Sequence, residues 1–443
     1  MNGQTARGLS ALLTGLTALL LICGTAADSL AGGPLRSLTL HEALELADRN
    51  NHDLAKAREF GRQVQGKYVE ERAAALPHLS LNGQLSRQED DSQALFWPPL
   101  SGAQDSRSLS VGLSQALFTW GKLGAAIRAA QKGFLTADDE LRQARADTRQ
   151  AVSVTFYDLL LAKEEANIAR RNLNLKETHL DKARRRRDLG VATDYDVLAA
   201  KVAAENARPQ TIHAENQVGI ARDRLKVLTG SQEEIDAQGT LAADDDSQSP
   251  LPSYEQALAR ALKRRPDLDS LIHRQEVADE LINIAKAEDK PRLDLNADYG
   301  RRQLEVAGYR GSGPAWDAGV TLSFPFFDGM KARGKVAQAK SDRRSLAIDE
   351  AKLKDEIGLE IRTALAQARE TKEIETALAG TAKQAGQLLG MAEKGQELGV
   401  KTRLEVEDAE LNLMQAQTNL ARARRDHLTA LVTLKRAMGT LDE

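Results

Sequence analysis

Four stretches of the chain alternate between apolar and polar residues. Leu79, Leu81 and Leu85 share one face, with Ser80, Asn82, Gln84 and Ser86 on the other; Leu109, Val111 and Leu113 alternate with Ser108, Ser110 and Gly112. The pattern returns in Leu293, Leu295, Ala297 and Tyr299 against Asp294, Asn296, Asp298 and Gly300. It returns again in Trp316, Ala318, Val320, Leu322 and Phe324 against Asp317, Gly319, Thr321 and Ser323. A period of two predicts half-apolar strands over about 78–88, 108–118, 292–302 and 316–326. Each is roughly ten residues, the length that crosses a bilayer when tilted. Loops 89–107 and 304–315, rich in Gly, Ser, Asp and Pro, join the strands as two hairpins.

Elsewhere the period is helical. LTLHEALELADRN opens with Thr39 as an N-cap and Glu42 in the capping-box position. A helical stretch follows from about Asp53 to Leu76, ended by Pro77. From Gly121 to Asp188 there is no proline, and at 1.5 Å per residue that segment predicts a helix on the order of 100 Å long. Leu161, Ile168 and Leu175 recur at heptad spacing among Ala162, Ala166 and Ala169, which predicts coiled-coil-like antiparallel pairing with the helix after the next turn. That returning helix contains Pro209, where the other half of the chain has Thr418, so a kink is expected there.

The elements come in two matching sets. Ala43-Leu44, Asp53-Leu54, Pro77, Leu79 and Leu81 fall on Ala257-Leu258, Asp267-Leu268, Pro291, Leu293 and Leu295. Once the second half has lost a few residues from the loop, Val111, Ser114, Phe118 and Lys122 fall on Val320, Ser323, Phe327 and Lys331. That register holds without a gap to Gly230 and Gly439, too long for a chance match, and it predicts a tandem duplication. The first repeat is expected over 28–230, with a helical hairpin over about 120–229. A linker over 231–252 carries Asp244-Asp245-Asp246 and two prolines, and the second repeat follows over 253–443, with its hairpin over about 328–438.

The clearest echo is a turn. LGVATDYDV places Leu189, Gly190, Val191 and Thr193 where LGVKTRLEV places Leu398, Gly399, Val400 and Thr402. The glycines suit tight backbone geometry and the threonines cap the returning helices. An ordinary helical turn accounts for both, but is not expected to account for the acid that follows, Asp196 or Glu405.

Composition narrows the function classes. Over 443 residues the chain has 4% aromatics, 28% charged residues and a net charge of −3, which argues against large conventional cores and against nucleic acid as a partner. Arg7, the apolar run Ala11 to Ile22 and the small residues Thr25-Ala26-Ala27 predict a signal peptide over 1–27, with Ser29-Leu30-Ala31 as a second cleavage site. Cys23, the only cysteine, falls inside it, and Ile22 before it argues against lipidation. No later apolar run approaches the length of a transmembrane helix. On its own, the alternation is that of a sheet with one face on a core. Export, the lack of another apolar element sized to cover that face, and aromatics at the strand ends favour a membrane barrel. Those aromatics are Phe118, Trp120, Phe326 and Phe327 at one end, Tyr299 and Trp316 at the other. The seven histidines show no metal-ligand spacing, and no phosphate-binding glycine loop or nucleophile elbow occurs. No catalytic, cofactor or metal site is expected.

With these elements in this order, the chain resembles the TolC-like outer-membrane efflux proteins over essentially its whole mature length. The resemblance rests on the strand entries LPHLSLNGQL and KPRLDLNADY, the strand-to-helix turns SQALFTWGK and SFPFFDGMK, and above all the paired LGV turns. It implies a mainly helical protein with membrane β-structure: a homotrimer whose twelve-stranded outer-membrane β-barrel continues into a twelve-helix periplasmic α-barrel. It implies an exit duct of a tripartite efflux pump or a type I secretion system. The partners would be outer-membrane lipid, a periplasmic adaptor (membrane fusion) protein and an inner-membrane transporter of RND, ABC or MFS type. The LGV turns would be the tips on which the adaptor docks. Glu405 and Asp408 would ring a closable entrance, with carboxyl pKa values raised by mutual repulsion, while Asp196 and Lys401 would link neighbouring hairpins. The alternative is a non-channel structural or adhesive coiled-coil protein of the envelope, which would have no use for amphipathic strands.

Overall fold

A computed structural model describes residues 36–89, 103–241, 250–306 and 309–441. The expected signal peptide with Cys23, Ser101 of the first loop, and Asp244 to Asp246 lie outside the described residues. The described chain is mostly helical. In order it forms β1 (Arg36–Leu38), α1 (Leu40–Asn50), α2 (His52–Ala73), β2 (His78–Glu89), β3 (Ala103–Phe118), α3 (Lys122–Asp188) and α4 (Asp194–Thr229). Then come β4 (Ile235–Ala237), α5 (Tyr254–Arg264), α6 (Pro266–Lys286), β5 (Arg292–Val306), β6 (Tyr309–Ser323), α7 (Lys331–Glu397) and α8 (Arg403–Ala437). Two compact units emerge, one from the described residues of 1–51, 148–250 and 367–432, the other from those of 52–147, 251–366 and 433–443.

In the first unit, α1 starts on the predicted capping box. The Thr39 amide and hydroxyl donate to Glu42 Oε2 at 2.7 and 2.9 Å, and the Glu42 amide donates to Thr39 Oγ1 at 3.3 Å. Satisfying two orphan donors in this way fixes where the helix begins. Ala43 and Ala47 then face a core built on Leu38, Val152, Phe156, Leu159, Leu225 and Ile235. The stretch after α4 contributes to it: β4 pairs in parallel with β1, Leu38 opposite Ala237. Strands of three residues have no period to read, so sequence could not locate them. The Asn51 side chain closes the arrangement by donating to the Leu228 carbonyl at 2.7 Å. Among the expected heptad positions, Leu161 and Ile168 are buried, and α4 runs as one helix through Pro209.

The second unit holds a four-stranded antiparallel sheet of order β2-β3-β5-β6. Its strands extend beyond the apolar alternation toward the loops: β3 begins at Ala103, β5 reaches Val306 and β6 begins at Tyr309. Opposite charges face each other in those extensions, Arg87 across from Asp105 and Glu305 across from Arg310, with the single apolar pair Val306 and Tyr309 at the end of the second hairpin. β6 stops at Ser323 instead of reaching 326, because Pro325 has no amide to extend the ladder. One face carries Leu79, Leu81, Leu109, Val111, Tyr299, Trp316, Val320 and Leu322, and all eight side chains are exposed. The other carries Ser80, Asn82, Ser110, Asn296 and Asp298. Gly300 is required where β5 crosses β3: a Cβ there would overlap the Leu109 carbonyl and lie 2.6 Å from Ser110 Cα.

Candidate functional site

The two LGV turns of the first unit have the same backbone. Gly190 and Gly399 both sit at φ 75°, in the left-handed region that costs a side-chain-bearing residue energy. At the first turn, the Gly190 amide donates to the Arg187 carbonyl and the Val191 amide to the Arg186 carbonyl, each at 2.8 Å. At the second, Gly399 donates to Gln396 at 3.0 Å and Val400 to Gly395 at 2.8 Å. Each is a Schellman stop that satisfies the last carbonyls of a long helix. Leu189, Val191, Leu398 and Val400 project from these turns, 62–79% exposed.

The acid after each turn has a structural role that sequence reading did not assign to it. Asp196 accepts the Thr193 amide at 2.9 Å and the Thr193 hydroxyl at 2.7 Å, while its own amide donates to Thr193 Oγ1 at 3.3 Å. Glu405 accepts the same two groups of Thr402 at 2.8 and 3.0 Å and returns its amide at 3.3 Å. Both acids therefore complete capping boxes that restart the chain as α4 and α8. The signal was present as T-x-x-D and T-x-x-E, and an acid near a helix N-terminus also meets a favourable dipole.

The second turn adds a cation. Lys401 Nζ lies 2.5 Å from Glu405 Oε1. Gly395 makes this geometry possible, because a Cβ on it would sit 3.1 Å from Lys401 Cβ and closer still to Cγ. The Lys401 ammonium first, then the Thr402 amide and hydroxyl, hold the Glu405 carboxyl down at about 2. Within one chain this is the reverse of the upward shift expected from a ring of like charges. Thr193 likewise lowers the Asp196 carboxyl through its amide and hydroxyl. Lys401 and Asp196 do not pair with each other; each is engaged in its own hairpin. Asp408 is exposed one turn beyond Glu405 on α8.

Within one chain, other residues join the two hairpins. Glu410 on α8 is 6% exposed, and its two carboxylate oxygens meet Lys176 Nζ at 2.8 Å and His179 Nε2 at 3.3 Å, both on α3. Arg422 reaches Glu165 at 2.8 Å further up the same pair of helices. Burial lowers the His179 pKa, against the opposing pull of Glu410. Sequence spacing gave no sign of this cluster, whose members stand in different halves of the chain.

Comparison with known proteins identifies the family. The family model described as "Outer membrane efflux protein" matches residues 43–231 and again residues 257–440. The chain belongs to that family. It is an outer-membrane efflux protein. Outer membrane protein OprJ of Pseudomonas aeruginosa is 26% identical over 414 residues, covering 90% of this chain and 84% of that protein. The toluene efflux pump outer membrane protein TtgC of Pseudomonas putida is 25% identical over 403 residues, covering 90% and 82%. Among solved structures, the CmeC outer membrane channel of Campylobacter jejuni shares the fold with a TM-score of 0.77 at 19% identity, over 90% of this chain and 85% of that one.

Proposed function

We propose that the efflux protein is a homotrimeric exit duct, carrying substrates passively from periplasm to exterior as part of a tripartite pump or a type I secretion system. The observation that carries this is the sheet of β2, β3, β5 and β6: one apolar face is exposed and two edges are unpaired. Hydrocarbon leaves no free edge satisfied, so closure needs further strands. Three chains supply twelve, an even number within the range of barrels, with equivalent interfaces under cyclic symmetry. No described helix is long and apolar enough to cross a membrane.

Tandem duplication supports the rest of the reading. The family model matches twice, at 43–231 and 257–440, and the two turns share one backbone geometry. A trimer would then present six tips in a near-sixfold ring, on which a periplasmic adaptor seats through the exposed Leu189, Val191, Leu398 and Val400. The adaptor in turn engages an inner-membrane transporter. Glu405 and Asp408 line the entrance and favour cations there. The names of the relatives concern toluene and other efflux pumps; this duct passes whatever its transporter delivers.

Topology tests the reading. The long helices must extend into the periplasm and the strand loops must face outward. A cysteine at Ser312 should label in intact cells with an impermeant thiol reagent, and one at Thr193 should not. Labelling at Thr193 but not at Ser312 would refute the orientation.

A further inference from the structure

The apolar face of the sheet does not end symmetrically. Its row Leu81, Val111, Tyr299 and Trp316 is followed, toward the β2–β3 and β5–β6 loops, by a row containing Leu109 and Arg301 and then one containing Leu85 and Arg107. Paired residues share a face, and so do residues two apart on a strand. Arg107 and Arg301 therefore project on the apolar side, just beyond the two aromatic rings. They are diagonal neighbours on β3 and β5, within reach of a shared ligand. The next row holds two carboxylates, but each already has an arginine opposite it: Asp105 lies 3.8 Å from Arg87 and Glu305 lies 2.7 Å from Arg310. Among the described residues, Arg107 and Arg301 themselves have no hydrogen-bond or ion-pair partner, and both are exposed.

The opposite end of the same face differs. It closes on Phe118, Leu293 and Leu322, and the nearest arginine on β5, Arg292, belongs to the polar face and pairs with Asp294 at 2.7 Å. Two unneutralised guanidiniums thus mark only the end of the apolar band that faces the loops. Guanidinium forks bind phosphate oxygens bidentately, and aromatic rings at headgroup depth set the level at which those oxygens lie.

We infer that Arg107 and Arg301 form a binding site for the phosphate groups of an anionic outer-leaflet lipid, one site per protomer on the outside of the barrel. The site lies on the two central strands, away from the sheet edges where protomers would join. It fixes the depth of the protein in the membrane and selects a phosphorylated lipid over a neutral one. This rests on the barrel reading above, because a sheet outside a membrane would have no lipid beside it.

The test titrates the detergent-solubilised protein with a bis-phosphorylated glycolipid and with the same lipid stripped of phosphate, counting bound lipids by native mass spectrometry. The wild type should prefer the phosphorylated lipid. The Arg107→Gln, Arg301→Gln double variant should lose roughly tenfold or more of that preference. Arg302→Gln, on the same strand but the opposite face, should keep it. Equal retention of both lipids by the wild type, an unchanged preference in the double variant, or an equal loss in Arg302→Gln would overturn the inference. Displacement of the lipid by equimolar inorganic phosphate would show a free-anion site and overturn it as well. A wild type that never enters a membrane would overturn the barrel reading too, whereas an inserted protein without phosphate preference overturns this site alone.

Discussion

The Lys401 ammonium lies 2.5 Å from a Glu405 carboxylate oxygen, and that contact sets the charge state of the candidate entrance. A carboxyl held at about 2 stays ionised through the physiological range. Because its pKa is depressed, the stabilisation that Glu405 gives to its turn is present above the ordinary value of 4.5 and is lost as pH falls through about 2. In an Asp408→Ala background, cation selectivity in planar bilayers should persist from neutral pH down to about 3. Lys401→Ala should move its loss upward, toward the ordinary carboxylate range. Gly395→Ala should act in the same direction, by displacing the lysine stem. Selectivity that already titrates at the ordinary carboxylate value with Lys401 intact would contradict this.

The cluster of buried Glu410 with half-buried Lys176 and His179 should make the contact between α3 and α8 depend on pH. Burial lowers the His179 pKa from its ordinary 6.5, so protonation favours the separated helices over the packed ones. Lys176, Lys182 and Arg403 also oppose a charged imidazole, and Glu410 alone favours it. The contact is therefore at full strength above 6.5 and weakens as pH falls below that value. Hydrogen exchange corrected for its intrinsic pH dependence should be faster around Glu410 at pH about 5.5 than at about 7.5. His179→Gln should remove the difference. Equal protection at both pH values in the wild type would show that the imidazole does not titrate against this contact.

Two glycines of the sheet should respond differently to a methyl group. At Gly300 a Cβ meets the backbone of Leu109 and Ser110, which can yield only by opening the β3–β5 ladder. At Gly319 it meets nothing within 4 Å. Gly300→Ala should therefore lower the yield of assembled protein in the outer membrane, and Gly319→Ala should leave it unchanged. Semi-native electrophoresis of membrane extracts distinguishes the two, and equal yields would mean that the β3–β5 approach is looser than described.

Much of this architecture was legible in the sequence, because each of its two periods holds over a long run of residues. Leu79, Leu81 and Leu85 against Ser80, Asn82 and Gln84 located a strand, and Thr39 with Glu42 located a helix start. What failed was local chemistry without period. Ala103 to Arg107 pair in β3 through backbone and charge, so no apolar alternation announced them. Asp196 and Glu405 stand out in the sequence as acids repeated in the same place, while their shared role in a helix cap shows only in the contacts with Thr193 and Thr402. Lys176 and Glu410 meet only because two distant helices pack together, a relation that no local pattern in one chain encodes.

Three chains are proposed to close one duct. The most direct test is the mass of the folded protein extracted from the outer membrane, measured intact in mild detergent. Three copies of the chain should be found, dissociating only when the sheet itself unfolds. A stable, folded monomer in detergent or lipid, with its four-stranded sheet intact, would contradict it.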